Sequence, residues 1–432
     1  MPMAADRAWY RPGNDVHLFR VALVATLLLP PVLLYTRAVG DALLSLVAIL
    51  FLARSCILRD WRWLNTAHAR LALLFWLWLV ACTLLVGTHR ELGEALVVCR
   101  LFLFAAALES WVLADHQQRR QLWIVVLAVG VWTVVETWQQ YLLGANLFGY
   151  PRWGCCILTG PMTGPRDGAT LQMLYLPAFL PLAMDWLGRP GRSARVAGAL
   201  LLFVTMLAEV LIGQRMPMVL LLFSLCLTGL VVRRFRWPIA IALVAILAAI
   251  AATPVLSPVT YATLVVVFFD RMRDFWNTPY AWLFERAIVM IQAHPWLGLG
   301  FDGFRDNCMD PRYLKAVAWL PVTDIANPQG CSIHPHNYWL QIATSDGLAG
   351  VLLFAALSVT WLVRIGAGLL SGARPIQVAL FVTLCTMLWP ITSTTSLFTL
   401  PNAGWVFLTI GWGLAEYGHA DARDAAPASL PP

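Results

Sequence analysis

The chain has 432 residues, 60% of them hydrophobic and 12% charged, with a formal net charge of +7 at pH 7. Soluble domains carry roughly 25% charged residues, so this composition excludes an ordinary water-soluble protein and describes one built for lipid. The positive charge is spread over short loops rather than gathered on one face, which gives nucleic-acid binding no support.

A helix needs about 20 apolar residues to cross a ~30 Å hydrocarbon core. In chain order, stretches of that kind lie at 17–36, 39–58, 69–87, 92–114, 121–143 and 168–187, then at 195–213, 216–232, 237–256, 337–363, 375–394 and 398–417. They predict an all-α integral membrane protein with twelve transmembrane helices. Short loops rich in basic residues stay in the cytoplasm. Alternate connections hold Arg54, Arg59, Arg62 and Arg70, then Arg119 and Arg120, then Arg189, Arg192 and Arg195, then Arg233, Arg234 and Arg236. Both termini are therefore expected inside, the amino end marked by Arg7, Arg11 and Arg20. The first apolar run holds Pro30 and Pro31 and passes Arg37 into a second span, so it reads as an ordinary helix and not a cleavable signal. The predicted division is nine helices with short loops over 1–256, a large outward loop over 257–336, three helices over 337–418 and a disordered cytoplasmic tail over 419–432.

Two outward segments break the rhythm. One runs from Gly144 to Asp167 with Asn146, Arg152 and Arg166; the other runs from Ser257 to His336 with Arg271, Arg273, Arg286, Arg305, Arg312 and Lys315. Loops longer than about 12 to 15 residues are usually functional or disordered, and this one has local order written into it. Trp282, Leu283, Ala287, Ile288, Met290 and Ile291 recur at helical spacing, predicting an amphipathic helix that ends at His294-Pro295. Gly298, Gly300 and Gly303 then predict a tight turn. Cys308 and Cys331 share the loop, where an oxidising compartment would permit a disulfide, and the cysteines have no metal-ligand spacing. Asp302, Asp306 and Asp310 recur every fourth residue, but the glycines and prolines around them interrupt the helix that a metal-binding stripe would need.

Three polar pieces face outward in this topology: Gly213-Gln214-Arg215-Met216-Pro217, Arg286 with His294-Pro295-Trp296-Leu297-Gly298-Leu299-Gly300, and His334-Pro335-His336-Asn337-Tyr338-Trp339-Leu340-Gln341, closed by Asp346-Gly347-Leu348-Ala349-Gly350. In this order, over about residues 200 to 355, they resemble the O-antigen ligase family, grouped with O-antigen polymerases and protein O-oligosaccharyltransferases. The resemblance implies a GT-C-like glycosyltransferase architecture. It also implies transfer of a glycan from undecaprenyl pyrophosphate to a sugar hydroxyl of lipid A-core on the periplasmic face of the inner membrane, metal-independent and inverting, with no cofactor. Donor, acceptor and membrane lipids are the expected partners.

The residues suit that chemistry. A departing pyrophosphate concentrates negative charge, and guanidinium offers a fixed fork of donors matched to phosphate, so Arg215 and Arg286 are the expected pyrophosphate ligands. An acceptor hydroxyl needs a proton acceptor. Histidine suits neutral pH, and His336 precedes Asn337 as the family's functional histidine precedes asparagine, with His334 its neighbour. Asn337, as a helix cap, with Gln341, Glu209 and Arg166, is expected to support the site or the acceptor side; Glu209 would orient Arg215 or pair with Arg100. The same chemistry would serve a polymerase or a protein O-oligosaccharyltransferase. A lipid-glycan transporter, from another class, would gather polar groups near the bilayer midplane, where Glu136, Glu209 and Arg100 are the main charges.

Overall fold

The computed structural model describes residues 16–417 except 155, 234–235, 370–373 and 393–394. Arg7, Arg11, Arg234 and the tail over 419–432 lie outside the described residues. Within them the chain is helical, and β-structure is confined to two isolated bridges in the 144–167 segment. The first half forms α1 (Val16–Tyr35), α2 (Arg37–Leu58), α3 (Ala67–Val86), α4 (His89–Val97) continued by α5 (Cys99–Ala107), and α6 (His116–Leu143). Then come α7 (Asp167–Gly188), α8 (Arg192–Ile212), α9 (Arg215–Val231) and α10 (Arg236–Leu256). The long connection contains α11 (Pro258–Tyr261), α12 (Val267–Arg273), α13 (Pro279–Ala293) and α14 (Gly303–Asn307), and the chain closes with α15 (Tyr338–Gly366), α16 (Pro375–Met387) and α17 (Asn402–Tyr417).

Every predicted apolar stretch is helical, and eight helices among the described residues are long and apolar enough to cross a membrane. Two boundaries differ. The expected span 375–394 stops at Met387, because Trp389 precedes Pro390 and a residue before proline disfavours the α conformation. The last helix begins only at Asn402, after Pro401. The described residues of this connection, 388–392 and 395–401, form no helix. Elsewhere the ends follow local chemistry: Thr36, Thr66 and Thr88 cap with side-chain oxygens, and Gly144 and Gly213 close α6 and α8 at φ 85° and 80°.

Residues Ala403 to Glu416 of α17 are all buried, so this helix forms the centre of the bundle. Outer helices turn apolar side chains such as Leu85 of α3 and Ile241 of α10 outward, as lipid-facing helices do. The two ends of the bundle differ chemically. At one, the basic connections pair with acids: Arg119 and Arg374 lie 3.2 and 2.9 Å from Glu416, and His68 lies 2.7 Å from Glu109. The other gathers 144–167, 209–215, the long connection and 388–401.

The predicted amphipathic helix is α13, capped by Thr278 and ending at His294. Its apolar face builds a small core with Phe304, Cys308, Tyr313 and Val317, separate from that of the bundle. Cys308 and Cys331 are disulfide-bonded, with Cα atoms 5.1 Å apart across a separation of 23 residues. A ring of that length constrains the unfolded chain by about 3 kcal/mol. Replacing both cysteines by serine is therefore expected to speed proteolysis within 308–331 by roughly 100-fold, the exchange factor that such an energy corresponds to, while cleavage of the α1–α10 loops stays unchanged.

Candidate functional site

α15 begins beneath the His-rich segment. Asn337 is its N-cap: Oδ1 accepts the Leu340 N–H at 3.1 Å, and Nδ2 donates to the carbonyls of Pro390 at 2.7 Å and Thr392 at 3.0 Å. One turn later Gln341 Nε2 donates to Ser396 Oγ, and Oε1 accepts from Leu397 N, both at 3.0 Å. Both carboxamides are thus spent on the 388–401 loop, so these residues clamp the site rather than line it. Immediately before the cap, His336 has φ 53°, a left-handed conformation that costs a non-glycine residue roughly 1–2 kcal/mol. Its half-buried imidazole lies 4.4 Å, centroid to centroid, from the ring of buried His334.

The ring of Tyr280 stands edge-on to His336 at 6.0 Å. It also lies within electrostatic reach of Arg215, the first residue of α9. Tyr280 therefore stands beside the imidazole and within the field of the guanidinium. The sequence reading passed over it, though Thr278-Pro279 is a helix-start signal that places Tyr280 in the first turn of α13. Arg215 itself donates to Val267 O at 3.4 Å, a long bond, and forms no ion pair with a described residue.

Arg286 is placed differently from the expectation that it shares an anion with Arg215. It sits six residues beyond Tyr280, about 9 Å along the helix. Its side chain is buried, Nη1 donates to Cys308 O, and Nη2 donates to Ile325 O at 2.6 Å. The guanidinium is held by the loop that the disulfide closes. In this conformation it fastens that loop instead of offering a fork to phosphate.

Glu209 makes neither of its expected pairs. Arg100 bonds Asp41 at 2.9 and 3.1 Å, while the buried Glu209 carboxylate packs near Gly168, where a β-carbon would approach Oε1 to 3.2 Å. Arg166 is exposed. The neighbouring Pro165 carbonyl accepts from Gln214 Nε2 at 2.7 Å, which ties the 144–167 segment to the turn before Arg215.

The glycine-rich turn after α13 docks on a break in α15. Gly347 interrupts that helix at φ 65°, ψ −170°. The turn supplies what the break lacks: Leu299 N donates to Thr344 O at 2.8 Å, Gly300 N to Ser345 O at 3.0 Å, and Pro295 O accepts from Leu348 N at 2.8 Å. Just beyond, Phe301 N donates to Thr83 Oγ1 at 3.0 Å, anchoring the turn to α3.

The three aspartates that follow are each engaged by arginine: Asp302 with Arg305 at 3.6 Å, Asp306 with Arg90 at 2.6 Å and Asp310 with Arg312 at 2.7 Å. Burial and the nearby Glu94 carboxylate push the Asp302 carboxyl from 3.8 to about 6, against the pull of Arg305 and Arg90. A raised acid favours folding below its unfolded value and loses that contribution as pH rises through the folded one. The stability that Asp302 contributes is thus present below pH 3.8 and lost by about pH 6. Asp302→Asn, which tolerates the same φ of 59°, is expected to raise the thermal midpoint at pH 7 by a few degrees and leave it unchanged at pH 3.5.

What stands together is an imidazole at a strained turn, a phenol beside it and a guanidinium beyond, at one end of a helical bundle. The arrangement suits proton removal from a hydroxyl next to an anionic leaving group. Set against known families, residues 197–355 match the family described as O-antigen ligase. No curated protein matches the chain. The matched segment runs from α8 into α15 and carries Arg215, Tyr280, Arg286 and His336.

Proposed function

We propose that this chain, whose residues 197–355 match the family described as O-antigen ligase, acts as a member of that family and transfers a glycan from undecaprenyl pyrophosphate to a sugar hydroxyl of lipid A-core. The observation that supports this reading is that Tyr280, whose ring stands edge-on to His336 at 6.0 Å, also lies within electrostatic reach of Arg215, all three inside the matched segment. A neutral imidazole nitrogen of His336 accepts the proton of the attacking hydroxyl as the new glycosidic bond forms at the anomeric carbon. The bond from that carbon to the diphosphate oxygen breaks on the opposite face, and its electron pair leaves with the polyprenyl pyrophosphate. The configuration inverts. Arg215 stabilises the charge arriving on the leaving group, in a reaction proposed to be metal-independent. Arg286 contributes by holding the disulfide-closed loop that leads into the segment carrying His334 and His336.

The site faces the periplasm of the inner membrane in this proposal. Two observations support it: the arginine-rich connections gather at the opposite end of the bundle, and the Cys308–Cys331 disulfide belongs to an oxidising compartment. Both termini then lie in the cytoplasm.

The test uses purified protein in detergent, with a synthetic polyprenyl-pyrophosphate glycan and, separately, lipid A-core or a second lipid-linked glycan as acceptor. Glycosylated lipid A-core, formed at the same rate with added chelator, is the expected result. Extension of the lipid-linked glycan alone would identify a polymerase, and transfer to neither acceptor would end the reading. Turnover without a sealed compartment also separates transfer from transport.

A further inference from the structure

With Arg286 buried under loop carbonyls, the proposed reading leaves Arg215 as a single cation for a group that carries two phosphates. The second cation is nearby. Arg215 Nη1 reaches Val267 O, the carbonyl that opens α12. A helical carbonyl points toward the residue four positions on, and the residue four beyond Val267 is Arg271, so the Arg215 guanidinium sits beside the turn that carries Arg271. Their charges lie within electrostatic reach of each other. Arg271 and the following Arg273 are exposed, and although Asp270 and Asp274 adjoin them in the chain, neither arginine pairs with a described carboxylate. Ion pairing occupies the arginines on the far side of the same loop, where Asp302, Asp306 and Asp310 each have an arginine partner.

Two guanidiniums held together without an acid repel one another, and an anion that bridges them removes the repulsion while gaining charge-assisted hydrogen bonds from both. Lysine would supply a charge without the planar fork, and the sequence uses arginine at both positions. We propose that Arg271 is the second phosphate-binding group, which with Arg215 selects a diphosphate over a monophosphate, and that Tyr280 marks the side of this pair on which the glycan meets His336. The proposal rests on the donor assignment made above and adds the residue that reads its second phosphate. Product undecaprenyl pyrophosphate would be held by the same pair, so Arg271 also governs its release.

The experiment measures binding of farnesyl pyrophosphate and farnesyl phosphate to the purified full-length protein and to Arg271→Gln, Arg271→Lys and Arg273→Gln. Wild type is expected to prefer the pyrophosphate. Arg271→Gln should weaken pyrophosphate binding by about 10- to 100-fold, the loss of charge-assisted bonds to one phosphate, with little change for the monophosphate. Arg271→Lys should recover part of the affinity. Arg273→Gln, which removes the same charge two residues away, should bind as wild type. If wild type prefers the pyrophosphate and Arg271→Gln keeps that preference, Arg271 is not the second ligand and the donor assignment stands. If wild type itself makes no distinction between the two probes, both fail together.

Discussion

Replacing His336 by alanine is expected to lower glycan transfer by ~100- to 10,000-fold, the usual contribution of a positioned base, with the protein still folded in membranes. His336 holds a left-handed backbone as well as an imidazole, so alanine changes two things at once. Asparagine separates them. It tolerates positive φ better than other non-glycine residues but cannot accept the proton, so His336→Asn should retain the thermal stability that alanine loses and transfer as poorly. Transfer is read in the purified system with lipid A-core as acceptor, and stability as the melting midpoint in detergent. If either variant transferred at the wild-type rate, the base would lie elsewhere, with His334, whose ring is 4.4 Å away, the next residue to change.

Gly347→Ala should be the most damaging single-methyl substitution in the fold. Its φ of 65° with ψ of −170° is open essentially to glycine alone, and a β-carbon there would come within 2.3 Å of the Trp296 carbonyl oxygen. That oxygen belongs to the turn whose backbone satisfies the broken helix, so the methyl group has no side chain to push aside. A cost of about 3 kcal/mol or more is expected, visible as a lower melting midpoint and as faster hydrogen exchange at Leu299, Gly300 and Leu348. Gly93→Ala provides the contrast: it lies within α4 with no atom within 4 Å of the added carbon, and should leave the midpoint unchanged or raise it slightly.

The helices were legible because lipid imposes one requirement, a run of apolar residues with its backbone bonded internally, whatever lies beside it. The end of α16 and the start of α17 were less so, since the apolar stretches drawn from the sequence run past the last helical residue before Pro390 and begin ahead of Pro401, where the helical backbone has not yet started. Among polar residues, motif order brought Arg215 and His336 forward as candidates at the same end of the bundle, and the period of its apolar residues gave α13. Arg286 shows the limit. Periodicity places it on a helix but says nothing of the Cys308 and Ile325 carbonyls that fold back over it from 22 and 39 residues away. Tyr280 escaped for a related reason: an aromatic side chain at the start of an interfacial helix reads the same whether it anchors to lipid or faces a histidine in another segment. The glycine turn was foreseen as a turn, but its function depends on the break at Gly347, which no local pattern announces.

The clamp that Asn337 and Gln341 make on the 388–401 loop bears on how the protein matures. Pro390, Thr392, Ser396 and Leu397 all lie beyond residue 355, where the family match ends, and Thr83, which anchors the glycine turn, lies far before residue 197, where it begins. The matched segment is therefore not structurally self-contained. During biosynthesis the turn at His336 can acquire this setting only once the chain has been made through Leu397, so a nascent chain arrested before that point would carry every proposed active-site residue without the clamp beneath them.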